Sequence, residues 1–184
     1  MNYGSKENTS AKNREFSRIT TFLPLAARVI SLEEWEASRP KLFGDAIYSE
    51  HSTLPEIDDA RLSIWLKTIN AKLDAMMNII TLSQAGFDSL VPHYATISAS
   101  GMAFLFAEDI PVDACMEIKI LLFSLSPVAV KIYGKVLTVK KQNNQYKIAI
   151  KFSPMDDHIR DEIVRFVFER EREFLREKKG EKGY

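Results

Sequence analysis

The chain is organised around the stretch YATISASGMAFLF at positions 94–106. From Met102 to Phe106 the residues at alternate positions are Met, Phe and Phe, which is the period-two pattern of a half-buried strand. An apolar run precedes this strand, and small residues from Ser98 to Gly101 join the two. Serine and glycine are typical of tight turns, and Gly101 also permits a positive φ or the close approach of a ligand. The pattern predicts two strands and leaves open whether the turn between them is purely structural.

The strand pattern continues towards the C-terminus. Apolar and polar residues alternate over residues 115–123, 128–140 and 146–152, and lysines are frequent on the polar face. Residues 22–30 predict one more strand, in which Pro24 indicates an edge position or the start of the strand. Short strands at this spacing predict a mainly β fold with helices (α+β), built on a small antiparallel β-barrel.

A long helix is predicted between the first strand and the others, over residues 53–84. Residues 53–56 form a capping box with proline in the first turn. The apolar residues that follow are spaced by four and three, as in a heptad repeat. They are Leu62, Leu66, Ile69, Leu73, Met76 and Ile80. Leucine at a with isoleucine at d favours more than two strands, so the repeat predicts self-association as a tetramer. The alternative is an ordinary amphipathic helix packed on its own domain.

A second helix is predicted after Ser153, which is a fitting N-cap residue, and its apolar stripe would close the open end of the barrel. The predicted organisation is a mobile tail at 1–13, a basic arm with the first strand at 14–30, a linker at 31–52, the heptad helix at 53–84, the rest of the barrel at 87–153, the closing helix at 154–179 and a tail at 180–184.

Composition restricts the classes of function. The 25 basic residues balance the 25 acidic ones, so no general attraction to DNA, RNA or a membrane surface is indicated. A single cysteine, Cys115, excludes a disulfide framework, and no apolar run is long enough for insertion into a membrane. We therefore expect a cytoplasmic protein. Three scattered histidines and one cysteine predict no metal site and no cofactor.

Two short motifs stand in a characteristic order. Arg14-x-x-x-Arg18 precedes the first strand, and Thr96-x-Ser98-x-x-Gly101 forms the turn described above. This order, followed by strands and a closing helix, resembles the PilZ domain, a family of bacterial receptors for cyclic di-GMP. The inserted helix resembles that of a PilZ subgroup that forms tetramers through a parallel coiled coil.

The resemblance implies a binding site for cyclic di-GMP. In the family, the two arginines contact phosphates and the Hoogsteen edge of guanine, and Arg14 and Arg18 match them. Ser98 and Gly101 match the second motif, but Thr96 stands where the family has Asp or Asn. A hydroxyl cannot reproduce the bidentate contact of a carboxylate with guanine, and this loss corresponds to ~10–200-fold in affinity. Taken alone, Arg14 and Arg18 could also be a solvent-exposed basic pair in a flexible arm, with no ligand.

The expected function is a non-catalytic cyclic di-GMP receptor in which the ligand orders the arginine arm against the barrel and signals to an unidentified downstream protein. The alternative is a divergent PilZ scaffold that no longer binds nucleotide and acts as an oligomeric interaction module. An enzyme is not expected, because neither Cys115 nor the serines have a histidine and an acid grouped near them in sequence.

Overall fold

Seven strands and three helices make up the computed structural model, which describes residues 16–43, 58–123 and 127–180. In chain order they are β1 (Ile19–Val29), α1 (Leu32–Ala37), β2 (Lys41–Phe43), α2 (Ala60–Gln84), β3 (Val91–Ser98), β4 (Gly101–Phe106), β5 (Cys115–Phe123), β6 (Pro127–Gln142), β7 (Gln145–Phe152) and α3 (Asp157–Gly180). The predicted tail at 1–13, Arg14 and the capping box at 53–56 lie outside the described residues.

The strands form one antiparallel sheet in the order β2-β6-β5-β1-β3-β4-β7, and β7 also pairs with β6. That last pairing closes a six-stranded barrel, to which β2 adds a short outer strand beside β6. The predicted α+β barrel is thus confirmed. Its interior holds the inward-facing residues of all six strands, including Leu23, Phe104, Ile118 and Ile148, each at most 2 % exposed.

The first strand is central and begins at Ile19, so both predicted positions of Pro24, at an edge or at the start of the strand, are wrong. β1 pairs with β3 from Ile19 to Leu25 and with β5 from Leu25 to Val29. Pro24 lies opposite Pro92, just before the pairing with β5 begins. Two opposed prolines cannot exchange hydrogen bonds, so they fit a non-hydrogen-bonded pair. The missing N–H of Pro24 is tolerated because Pro24 lies just outside the ladder between β1 and β5.

Helix α3 closes the barrel as predicted. Its residues Ile159, Ile163, Phe166 and Val167 are all at most 4 % exposed and belong to the main core. The helix begins at Asp157 rather than at 154. The Ser153 hydroxyl instead donates to the carbonyl of Tyr133, at 3.1 Å.

Helix α2 begins at Ala60, later than predicted, because the carboxylate of Asp59 accepts hydrogen bonds from the N–H groups of Arg61 and Leu62. Its end is a Schellman motif: Gly86 has a φ of +74°, and the N–H of Phe87 donates to the carbonyl of Leu82 at 2.9 Å.

Phe87 anchors this end of α2 on the barrel. It is buried in a cluster with Phe43 of β2 and Ala129 of β6, and its ring meets that of Phe43 at a centroid distance of 5.2 Å. The attachment point of the helix therefore lies on the outer face of β2 and β6.

The segment predicted as a linker, 31–52, contains α1 and β2 in its described part. Ser31 and Glu34 form a capping box for α1. Arg28 then joins this helix to the barrel, with its guanidinium 3.1 Å from Glu34 and 3.1 Å from Glu117. Its hydrogen bonds to Glu117 and then Glu34 raise the pKa of Arg28, and the bond from Arg28 lowers the pKa of Glu34.

Candidate functional site

A cleft of about 250 Å³ opens on the outer face of the barrel, beside the turn between β3 and β4. Arg18, Thr96, Ser98 and Gly101 all line it. The structure thus brings together every predicted ligand-binding residue except Arg14, which lies outside the described residues. That these residues bind a ligand stays a prediction.

The floor of the cleft is made of small side chains on neighbouring strands. Thr96 of β3 pairs with Ala103 of β4, Ala103 pairs with Ala149 of β7, and Ala149 pairs with Thr138 of β6. The register between β6 and β7 shifts between Val136 and Thr138, so Leu137 is the extra residue of a bulge. Leu137 is 52 % exposed and lines the cleft. The floor therefore carries small side chains, and the exposed side chain of Leu137 lies beside it.

Ser98 stabilises the turn itself. It is only 2 % exposed, and its hydroxyl donates to the carbonyl of Gly101 at 3.1 Å and lies 3.3 Å from the hydroxyl of Ser100. The motif serine is therefore largely committed to the local backbone, where it fixes the position of the residues that line the cleft.

Gly101 is required for strand packing and not for its φ, because among the described glycines only Gly86 has a positive φ. A Cβ at Gly101 would lie 2.2 Å from the carbonyl oxygen of Ile150 and 3.4 Å from the Cα of Lys151. The close approach that the sequence indicated is thus made by the backbone of β7 rather than by a ligand.

Thr96 is half-buried, and its hydroxyl lies 2.8 Å from the hydroxyl of Thr20, opposite it on β1. One of the two hydroxyls donates to the other, so part of the hydrogen-bonding capacity at this position is used within the protein. The position can offer a ligand at most a hydroxyl and no carboxylate.

Arg18 is exposed, and the two residues before it dock the arm on α3. The hydroxyl of Ser17 donates to Glu171 at 3.0 Å. Phe16 lines a small cavity of about 80 Å³ with Ala99 of the turn and Val167 of α3. The arm therefore runs between the turn and the closing helix, with its arginine at the cleft.

Helix α2 presents a second candidate surface. The six predicted heptad residues are between 40 and 60 % exposed, Trp65 is 68 % exposed, and no residue of the helix is buried. In a single chain the apolar stripe is therefore uncovered, contrary to the alternative in which it packs on its own domain. Large uncovered apolar surfaces commonly mark interaction sites.

Within the described part of the chain, no helix is long and apolar enough to cross a membrane.

Sequence reasoning did not identify Lys151 and Leu137, although both line the cleft. Lys151 lies opposite Gly101, and Leu137 is the bulged residue of β6. Their places depend on the pairing of β4 with β7 and on the bulge. The alternating pattern around Lys151 indicated only that its side chain points outwards.

The family model described as "PilZ domain" matches residues 77–169. Among solved structures, a tetrameric PilZ domain from Xanthomonas campestris, described as self-assembled via an unusual helical bundle, has a TM-score of 0.57 and 15% identity, with 88% of this chain and 91% of that chain covered. The inhibitor of motility MotI/DgrA from Bacillus subtilis has a TM-score of 0.49 and 9% identity, with 87% of this chain and 52% of that chain covered. No curated protein matches the sequence.

The family match covers β3 to β7, which include the turn and most of the cleft, and it extends into α3. The structural likeness to the Xanthomonas protein covers most of both chains and confirms the barrel with its long helix and its closing helix. The match spans half of the sequence, and the chain belongs to the PilZ domain family.

Proposed function

We propose that the protein is a non-catalytic receptor for cyclic di-GMP, which binds in the cleft between the arginine arm and the turn. One observation carries the proposal: Arg18 and the Thr96–Gly101 motif, far apart in sequence, line the same cleft. An arginine can hold a phosphate or the O6 and N7 atoms of guanine with two parallel hydrogen bonds, and it can stack on a base. The small-residue floor leaves room for a flat base.

The signal in this proposal is a change in the arm. Arg18 follows directly on Ser17, which is bonded to Glu171 of α3. A ligand that engages Arg18, and Arg14 before it, fixes the arm beyond the contacts that Phe16 and Ser17 already make, and changes the surface that the arm and α3 offer to a downstream protein. Ordering of a segment by a ligand is a common switching mechanism.

The test is isothermal titration of cyclic di-GMP into the wild type and into Arg14→Ala and Arg18→Ala. Each substitution removes a charge-assisted contact of ~1.5–3 kcal/mol, so binding should weaken at least about tenfold. The control is Arg39→Ala, an exposed arginine whose guanidinium donates to nearby carbonyls outside the cleft, and it should bind like the wild type. Absence of any heat and of any spectral change at millimolar ligand would refute the receptor proposal.

A second function, assembly through α2, is supported by the exposed stripe on that helix. The helix has 25 residues, about 37 Å at 1.5 Å per residue, and ends in an anchored Schellman motif. We propose a homotetramer held by the heptad residues. A chain that tetramerises but binds no nucleotide would be the divergent scaffold, an alternative that the Thr96–Thr20 contact favours.

Light scattering coupled to size exclusion tests the assembly. The wild type should have a mass near four times the 21.0 kDa of one chain. Replacing Ile69 and Leu73 with Asp should give a smaller species with an unchanged β signal in circular dichroism, since these side chains are 48 and 52 % exposed. Ala71→Asp, at the heptad position facing away from the stripe, is the control and should stay assembled. A wild-type mass of one chain would overturn the assembly proposal.

A further inference from the structure

Lys151 is a basic side chain at the cleft that the motifs do not include. It lies directly opposite Gly101 of the turn, on the strand that closes the barrel. Its side chain is exposed and lines the cleft together with Arg18. Among the described residues it has no hydrogen-bond or ion-pair partner.

The neighbouring strand makes this position more electropositive. Lys135 of β6 lies directly opposite Lys151 on the same outer face. Like charges in directly opposed positions destabilise a sheet. Lys135 has a partner of its own, since its Nζ lies 5.7 Å from the centre of the Trp35 ring. Lys151 has none among the described residues, and an anion in the cleft would relieve the repulsion.

The rest of the cleft has the same electrostatic character. The described residues that line it include two basic side chains, Arg18 and Lys151, and no acidic one. The position where the family carries a guanine-binding carboxylate or amide holds Thr96, whose hydroxyl is bonded to Thr20. The other polar side chains that line the cleft are the hydroxyls of Thr96, Ser98 and Ser100, so the charged groups that the described residues offer to a ligand here are both cations.

We infer that Lys151 is a phosphate-binding residue of this cleft, and that phosphate contacts, more than base contacts, determine what it binds. The inference rests on the proposed receptor function and widens its ligand class to cyclic dinucleotides with either purine. A lysine ammonium is a point charge with three rotatable donors, so it can follow a phosphate in more than one pose. The phosphates of cyclic di-AMP and cyclic di-GMP are the same, and only the base edges differ.

The experiment is titration of cyclic di-GMP and cyclic di-AMP into the wild type, Lys151→Gln and Lys147→Gln. Lys147 is a matched control, because it is exposed on the same strand and face and also lies opposite a lysine of β6, Lys140, but does not line the cleft. Lys151→Gln should weaken both ligands about tenfold, which is about 1.4 kcal/mol, and should flatten the salt dependence of the affinity. Lys147→Gln should change neither affinity more than about twofold, and the wild type should bind the two ligands within about fivefold of each other.

The outcomes separate the inference from the proposed function. If the wild type binds cyclic di-GMP and Lys151→Gln behaves like Lys147→Gln, the receptor function stands and the role of Lys151 is refuted. A preference for guanine above about a hundredfold would refute dominance of the phosphate contacts. A wild type that binds neither cyclic dinucleotide would refute both the receptor function and the inference.

Discussion

Gly101→Ala tests the reason for the motif glycine. If Gly101 is needed for contact with a ligand, Gly101→Ala should not change the stability of the unliganded protein. If Gly101 is needed for contact with β7, the same substitution should destabilise the unliganded protein. In the structure, a Cβ at Gly101 would lie 2.2 Å from the carbonyl oxygen of Ile150 and 3.4 Å from the Cα of Lys151. Both neighbours are backbone atoms of β7, which cannot swing away as a side chain can.

The cost follows from the distance. Ordinary contacts with a Cβ begin near 3.4 Å, so β4 and β7 have to separate by about 1 Å where Gly101 pairs with Lys151. Overpacking of this kind costs about 1–3 kcal/mol, and the upper end applies because backbone must move. For a chain of 184 residues, about 3 kcal/mol corresponds to a fall in Tm of ~6–12 °C.

Urea denaturation followed by circular dichroism, at one fixed protein concentration, measures this free energy of unfolding. The control is Ser100→Ala, one residue earlier in the turn, which removes an exposed hydroxyl and should change stability by less than about 0.5 kcal/mol. A Gly101→Ala protein within about 0.5 kcal/mol of the wild type would show that β7 does not require a glycine there, and the ligand would again be the better reason for it.

Two further substitutions test the site and the barrel. Thr96→Asn supplies an amide acceptor at the guanine edge and should strengthen cyclic di-GMP binding about tenfold in a titration, and weaker binding would show that position 96 does not face guanine. Tyr133→Phe removes a hydrogen bond of 3.2 Å to Glu117 and should cost about 1 kcal/mol. Burial raises the pKa of Tyr133, so its contribution to stability is complete below the unfolded pKa of about 10 and is lost as pH rises towards the folded pKa. Denaturation curves recorded above pH ~10 should fall more steeply for the wild type than for Tyr133→Phe, and parallel curves would contradict this assignment.

The barrel could be predicted because its strands bury one face, so apolar and polar residues alternate over most of their length. The strand predicted at 115–123 matches β5, and the closing stripe of α3 is buried as expected. Strand β2 has three residues, too few to show any period, and it forms only because β6 offers a free edge. The edge assignment of Pro24 failed because the sequence does not reveal that its opposite residue is also a proline.

The candidate site could be predicted only where it is a motif. Thr96, Ser98 and Gly101 are close in sequence, and a hairpin turn holds them together whatever the rest of the chain does. Lys151 and Leu137 enter the cleft through the closing pair of strands and the bulge beside it, which are set by tertiary register. Sequence motifs therefore do not identify cleft residues that are brought in by strand register.

The candidate cleft and the attachment point of helix α2 occupy separate parts of the barrel. The cleft lies on β3, β4 and β7, with Leu137 at the later part of β6, whereas α2 is anchored at Phe87 against Ala129, near the start of β6. Among the described residues, the cleft and the cluster that anchors α2 have no residue in common.

Substitutions in the apolar stripe of α2 should therefore change the mass of the assembly in solution and leave the affinity of one chain for its ligand unchanged. Substitutions in the cleft should do the reverse. Because the cleft and the helix are separate, a substitution in the cleft that removes the proposed nucleotide binding should leave the proposed oligomer intact. The proposed receptor and the alternative scaffold therefore differ by a few side chains on one outer face of the same fold.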